Sequence, residues 1–187
     1  MKSGNFKPVP ALWLWSRRLG LFASLWLGGA HLLQAQTEEG IKAAFIYNFS
    51  KFIEWPATAY ASPSAPVTIG FVGGSALADL FEENSKGKNA NGRDFVIKRL
   101  SGVAGAEECQ IVYVAEAGQI NAVLGALKGK PTLVVGEAEN LLDSGGAIRF
   151  IKEGAKVVFD LNLATATAAG LKVDPKLQKA ARTVKGG

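Results

Sequence analysis

The sequence predicts an α/β fold: a single domain with a mixed β-sheet flanked by helices and a C-terminal β-hairpin. Three observations predict it. Short β-branched runs alternate with segments of helical period, a hairpin signal follows them, and 48% hydrophobic against 20% charged residues supports a packed core. A length of 187 residues suits one domain with an appendage, and no internal repeat or long linker divides it.

The appendage is residues 1–35. They hold Lys2, Lys7, Arg17 and Arg18 and no acidic residue, then an apolar run from Leu19 to Leu33, then Gln34-Ala35-Gln36 with a small residue at the cut. That order describes a secretory signal peptide, and the run is short for a permanent membrane anchor, which needs about 20 apolar residues. Ser16-Arg17-Arg18 matches a twin-arginine signal only loosely, so the export route stays open. The expected boundaries are a signal over 1–35 and a mature domain over 36–187.

Cleavage changes the chemistry. The full chain carries 21 basic and 16 acidic residues, net +5, with a pI near 9.4. Four basic residues leave with the signal, so the mature chain is close to +1 and nucleic-acid binding loses its electrostatic support. His31, the one histidine, leaves too. Ser-His-Asp and Cys-His catalysis, imidazole-bound zinc and histidine pH sensing are thereby excluded from the mature chain. The single cysteine, Cys109, excludes an intrachain disulfide. No cofactor motif stands out, and no paired-carboxylate motif singles out Asp79, Glu82, Glu83 or Asp160 for catalysis. The expectation is a protein that is not an enzyme.

Ile41–Glu54 reads as an amphipathic helix, with Ile41, Ala44, Phe45, Phe49 and Phe52 at helical spacing and Trp55-Pro56 ending it. Ala57–Pro66 is a loop. Val67–Val72 is a strand, Gly73-Gly74 a turn, and Leu77–Phe81 a helix with Ser75 as its expected N-cap. Glu82–Gly92 reads as loop. Phe95–Leu100 and Ile111–Ala115 are strands, Ile120–Leu127 a helix, Thr132–Val135 a strand. Ala147–Ile151 and Lys156–Leu161 flank the turn signal at Lys152–Ala155. Pairing Ile151 with Lys156 sets Ile148 against Phe159 and Phe150 against Val157 on the core face, with Arg149, Val158, Asp160 and Asn162 opposite. Ala164–Gly170 and Lys176–Val184 read as helices, the second begun by Asp174-Pro175.

Ile41-Lys-Ala-Ala-Phe-Ile-Tyr-Asn-Phe-Ser-Lys-Phe-Ile-Glu-Trp-Pro56 resembles the opening of the YfiR/HmsC-like family. The resemblance continues through Phe71-Val-Gly73, Glu108–Val114, Thr132–Gly136, Gly145–Ile151, Val158–Leu163, Ala168–Lys172 and Leu177–Ala181. It implies a periplasmic, non-catalytic α/β regulator, often a homodimer. It further implies repression of an inner-membrane diguanylate cyclase through that enzyme's periplasmic sensor domain, hence control of cyclic-di-GMP and biofilm. An outer-membrane lipoprotein sequesters such repressors. Well-known members carry cysteine pairs, and this chain has Cys109 alone, so disulfide control does not carry over.

Six residues are candidates for partner or ligand contact. Lys51 and Trp55 sit at the end of the first helix, where an aromatic beside a cation can anchor a partner, or where Trp55 simply packs inward. Asn48 shares the wheel with Ala44, Phe45, Phe49 and Phe52, so its amide is expected to be buried and hydrogen-bonded, to a ligand or to a loop. Arg149 lies diagonal to Asp160 in the proposed hairpin, and with Asn162 the three form either a cross-strand ion pair or a polar recognition patch. Gly73-Gly74-Ser75 is a tight turn or an anion cradle, and Cys109 is buried or pairs between chains. Against the regulator stands another class, a periplasmic small-molecule binding module reporting to a transporter or sensor kinase.

Overall fold

A computed structural model describes residues 37–187; the export signal expected over 1–35 lies outside them. Helix α1 spans Glu38–Phe52. The Thr37 hydroxyl accepts the Gly40 N–H at 3.1 Å, and Glu38, Glu39 and Lys51 complement the helix dipole at its two ends. It stops at Phe52 because Ile53–Glu54 turn extended as β1, pairing antiparallel with β8, Lys172–Val173. Two-residue strands carry no periodicity, so neither was expected.

The remaining elements are β2 (Val67–Val72), α2 (Ser75–Ser85), β3 (Phe95–Leu100), β4 (Ile111–Val114), α3 (Ile120–Ala126), β5 (Leu133–Gly136), β6 (Ile148–Glu153), β7 (Lys156–Asn162), α4 (Leu163–Ala168), α5 (Pro175–Ala180) and β9 (Thr183–Lys185). They form a seven-stranded sheet in the order β3-β2-β4-β5-β6-β7-β9. Neighbours are parallel except β6 and β7, which pair antiparallel as the hairpin signal demanded. The expected α/β domain with a mixed sheet is what the chain forms.

One face of the sheet is covered by α1, α2, α4 and α5 over Ile69, Phe71, Leu133, Val135, Ile148 and Phe159. The other is covered over β4 and β5 by α3, whose Ile120 and Val123 meet Val112, Val114 and Val134. Sheet strands buried on both faces read as continuous apolar runs, which is why β2 and β4 were legible.

Local corrections have local causes. α2 is capped by Gly74, not Ser75: Gly74 adopts φ 65°, and a Cβ there would stand 3.0 Å from the Tyr113 ring. The same helix runs on to Ser85, because Glu82–Asn84 are its solvent face and not a loop. The hairpin turns through two residues, with Gly154 at φ 60° in the first central position, as a II′ turn requires. Its register is therefore shifted by two: Ile148 pairs with Leu161, Arg149 with Asp160 and Phe150 with Phe159. A shift of two keeps every side chain on its expected face. The final helix ends at Ala180, and Thr183–Lys185 adds to β7 as a parallel strand.

Candidate functional site

Asn162, Asp160 and Arg149 stand on the second sheet face where α3 no longer covers it. Arg149 faces Asp160 directly, Nη2 to Oδ2 at 2.9 Å, and its Nη1 donates to the Glu139 carbonyl at 2.7 Å. Arg182, just before β9, grips the same carboxylate with two bonds, 2.9 and 2.8 Å, and reaches Glu153 at 2.8 Å. Asp160 is 5% exposed. Burial pushes its pKa up, but the bonds from Arg182 and Arg149 outweigh burial and hold it below the ordinary carboxylate range. Arg149 Nε is buried with no partner among the described residues. Asn162 is buried as the cap of α4, its Oδ1 accepting from Thr165 N–H at 3.1 Å and its Nδ2 donating to the Leu142 carbonyl.

Beside this hub opens a cleft of about 370 Å³, lined by Glu137, Glu139, Arg149, Phe150, Ile151, Lys152 and Arg182. It lies at the carboxyl ends of parallel β5 and β6, where open α/β sheets usually place their sites. A second network leads into it. Lys42, buried on α1, bonds Glu38 at 2.7 Å and Glu137 at 2.8 Å; Tyr113 OH donates to Glu137; Lys152 bonds Glu38 at 2.8 Å. Lys152 and then Lys42 hold Glu38 down to about 2. Burial, then the Glu137 carboxylate, pushes Tyr113 well above the ordinary phenol range. Burial alone would lower Lys42, and the bonds to Glu137 and Glu38 raise it overall.

The end of α1 is a separate place, on the opposite sheet face. Trp55 is half-buried and donates from Nε1 to the Gln110 carbonyl at 3.1 Å; the Gln110 side chain in turn accepts from Thr68 N–H and donates to Ala59. Trp55 thus ties the loop after α1 to the amino ends of β2 and β4. Lys51 is exposed, 5.5 Å from the Tyr47 ring centroid, and lines a cleft of about 390 Å³ with Glu54, Asn91, Lys172 and Asp174. Asn48 corrects the expectation of a buried amide: it is exposed, beside Ala44 and Lys51. The buried arc of α1 centres on Ile46, and two residues further lies about 200° round the helix.

The structure therefore joins Arg149, Asp160 and Asn162, joins Asn48 and Lys51, and leaves the two groups apart. Sequence reasoning missed Arg182, read as helical, and Lys42. Lys42 did carry a signal: it falls on the same wheel arc as Ile46 and Phe49, and a lysine on a buried arc demands a carboxylate. Cys109 is buried, with burial raising its thiol to about 11. The Gly73-Gly74 turn packs against Glu116, whose Oε1 lies 3.2 Å from where a Gly73 Cβ would stand. Among the described residues no group of three His, Cys, Asp or Glu is placed to hold a metal, and no helix is long and apolar enough to cross a membrane.

The fold is similar to the crystal structure of a conserved domain protein from Vibrio cholerae O1 biovar El Tor, with a TM-score of 0.52 and 13% identity over 76% of this chain. The chain spans 60% of that protein's length. No curated protein matches. The sequence pattern of the YfiR/HmsC-like family matches residues 39–182, from the first turn of α1 to Arg182, and the chain belongs to that family.

Proposed function

We propose that the exported chain is a periplasmic regulator which binds the periplasmic sensor domain of an inner-membrane diguanylate cyclase and represses it. Family membership from residue 39 to 182 is the observation that carries this reading. The mature composition supports it, since no histidine is left in residues 36–187 to serve as a general base. Binding one conformation of the sensor domain shifts its equilibrium away from the active state. The proposed contact residues are Asn48, Lys51 and Trp55 at the end of α1, and Arg149 over the charged cleft, with Asp160 and Asn162 holding that surface in place. The chain acts as a homodimer, and an outer-membrane lipoprotein sequesters it.

The test is capture of inner-membrane proteins on the purified chain, paired with cyclic-di-GMP measurement in a deletion strain. A captured cyclase and a raised nucleotide level are expected; no membrane partner and an unchanged level would sink the proposal. Lys51→Glu and Arg149→Ala then divide the two surfaces, each scored for partner affinity in the folded fraction.

A second reading, a small-molecule binding module, is favoured by a cleft of about 470 Å³ between α3 and α4. Lys128 and Lys130 line it with Thr132, Ser144 and Thr165 and no acidic residue. Calorimetric titration with small periplasmic carboxylates and phosphates separates it from the regulator.

A further inference from the structure

The parallel strands β2, β3, β4 and β5 all begin at one end of the sheet, since Val67 pairs with Phe95, and Ile111 with both Ile69 and Leu133. The chain segments that return to that amino end carry lysines. α2 returns to β3 through Lys86 and Lys88, and α3 returns to β5 through Lys128 and Lys130. α1 finishes there at Lys51, because Asn91 Nδ2 donates to the Lys51 carbonyl and Trp55 bonds the Gln110 carbonyl just ahead of β4. Lys172 is brought alongside by the pairing of β8 with β1.

All six lysines are exposed, and among the described residues none of them forms an ion pair. Lys51 and Lys88 instead flank one ring, standing 5.5 and 5.6 Å from the Tyr47 centroid. Helix dipoles account for Lys51, Lys86 and Lys128 at three C-termini, but not for Lys88, Lys130 and Lys172 beyond them. Glu54, Asp94, Glu107 and Asp174 stand at the same end, and Glu108 is bonded to Lys98; with Arg93 and Lys176 added to the six lysines, the end stays cationic. At the opposite, carboxyl end Glu116, Glu137 and Glu139 are exposed, while Lys42 and Lys152 are tied to Glu38.

The lysines are spread out. β3 and β5 lie three strand intervals apart, about 14 Å, and α2 and α3 lie on opposite faces of the sheet. Lys51 and Lys172 line one cleft, Lys128 and Lys130 another. Beside them the chain from Trp55 to Ala78 has no charged residue, and it begins with two half-buried aromatics, Trp55 and Tyr60. Lysines converging on one point fit a small anion; an extended array beside an uncharged, aromatic-bearing loop fits a charged plane. We propose that the amino end of the sheet docks on the phosphate headgroups of an anionic phospholipid bilayer, with the acidic carboxyl end turned away from the lipid.

This inference rests on export to the periplasm and not on the cyclase. Co-sedimentation of the exported, purified protein with phosphatidylglycerol-containing vesicles tests it, with circular dichroism confirming the fold of each variant. The wild type should bind, release as salt is raised, and ignore vesicles of phosphatidylcholine alone. A lysine near such a surface contributes about 1 kcal/mol, or about fivefold, so K86Q/K88Q and K128Q/K130Q should each weaken binding about 25-fold. Lys156→Gln, exposed at the hairpin tip on the carboxyl end, should change it less than about twofold. Absence of binding, or equal losses from Lys156→Gln and the paired variants, would overturn the proposal. So would loss confined to K128Q/K130Q, or displacement by inorganic phosphate at the lipid phosphate concentration, since either marks a local anion site. Paired variants that bind vesicles like the wild type but no longer capture a membrane protein would assign this end to a protein partner instead. Capture of a detergent-solubilised cyclase by the wild type involves no bilayer, so that result judges the regulator by itself.

Discussion

Asp160→Asn removes one negative charge from beneath two guanidiniums and changes almost no volume. Truncating one member of a buried ion network costs about 3–5 kcal/mol, because the remaining charges stay desolvated. Here solvent reaches part of the network: the side chains of Arg149 and Arg182 are 23% and 38% exposed against 6% for Asp160. Water can take over some of what the carboxylate loses, so the expected cost is about 2 kcal/mol. Urea unfolding followed by circular dichroism reads it. With a slope of about 2 kcal/mol per molar for a domain of this size, the midpoint should fall by about 1 M. Amide exchange should quicken first in β9, since Arg182 N–H bonds the Phe159 carbonyl and its side chain pins that strand to β7. Glu153→Gln is the control. It touches the same Arg182 at 2.8 Å, but at the exposed end, and should cost less than about 0.5 kcal/mol. A midpoint shift for Asp160→Asn no larger than for Glu153→Gln would refute the claim that the buried carboxylate is the hub.

Acid should weaken the fold through carboxylates held below their ordinary range. Glu38 is held at about 2 and Asp160 is lowered, so their contribution is complete above about pH 4.5 and lost as pH falls toward 2; Glu38→Gln should flatten an acid titration followed by circular dichroism across that window. Gly74→Ala forces a side chain into a left-handed backbone against Tyr113 and should cost about 1–2 kcal/mol in urea unfolding. Leu141→Ala should cost about 2–5 kcal/mol by the same assay, since Leu141 is fully buried in the loop that crosses from β5 to β6. The Cys109 thiol, buried and raised to about 11, should react with a thiol reagent at the rate of global opening; fast labelling of the native protein would contradict its burial.

What could be read in advance follows from how local each signal is. Val67–Val72 and Phe95–Leu100 were legible to the residue because apolar β-branched runs bounded by Pro66, Gly73 and Asp94 need no distant partner to be recognised. Arg149 and Asp160 were placed on one face because strand parity survives a register error of two, while their direct opposition depended on a turn length that the sequence alone left open. β9 was invisible for the opposite reason. Thr183, Val184 and Lys185 are all exposed and do not alternate; they are a strand because β7 offers an edge and Arg182 is bonded to Asp160. Asn48 shows a limit of the helical wheel. Ala44, Phe45 and Phe52 drew the apolar arc too wide, and the true buried face was marked by Ala43, Ile46 and Phe49.

The connection from β5 to β6 explains why so much charge lies inside this domain. Parallel neighbours are usually joined by a helix that covers the sheet face it crosses. Here residues 137–147 cross without one, plugged by Leu141 against Gly146, where a Cβ would meet the Leu141 side chain at 2.5 Å. The second face of β6 and β7 consequently has no helical cover, and apolar residues at 149 and 160 would leave an exposed patch there. The chain instead places Arg149 and Asp160 opposite each other and caps them with Arg182 from the last turn before β9. A polar lattice stands where a doubly wound fold would put a helix. That lattice is internally bonded, so a partner meeting it would exchange existing bonds for new ones and gain little from Asp160 or Asn162. The free energy available to recognition there lies in the open cleft that Arg149 lines, since its Nε, without an acceptor among the described residues, is buried out of a partner's reach.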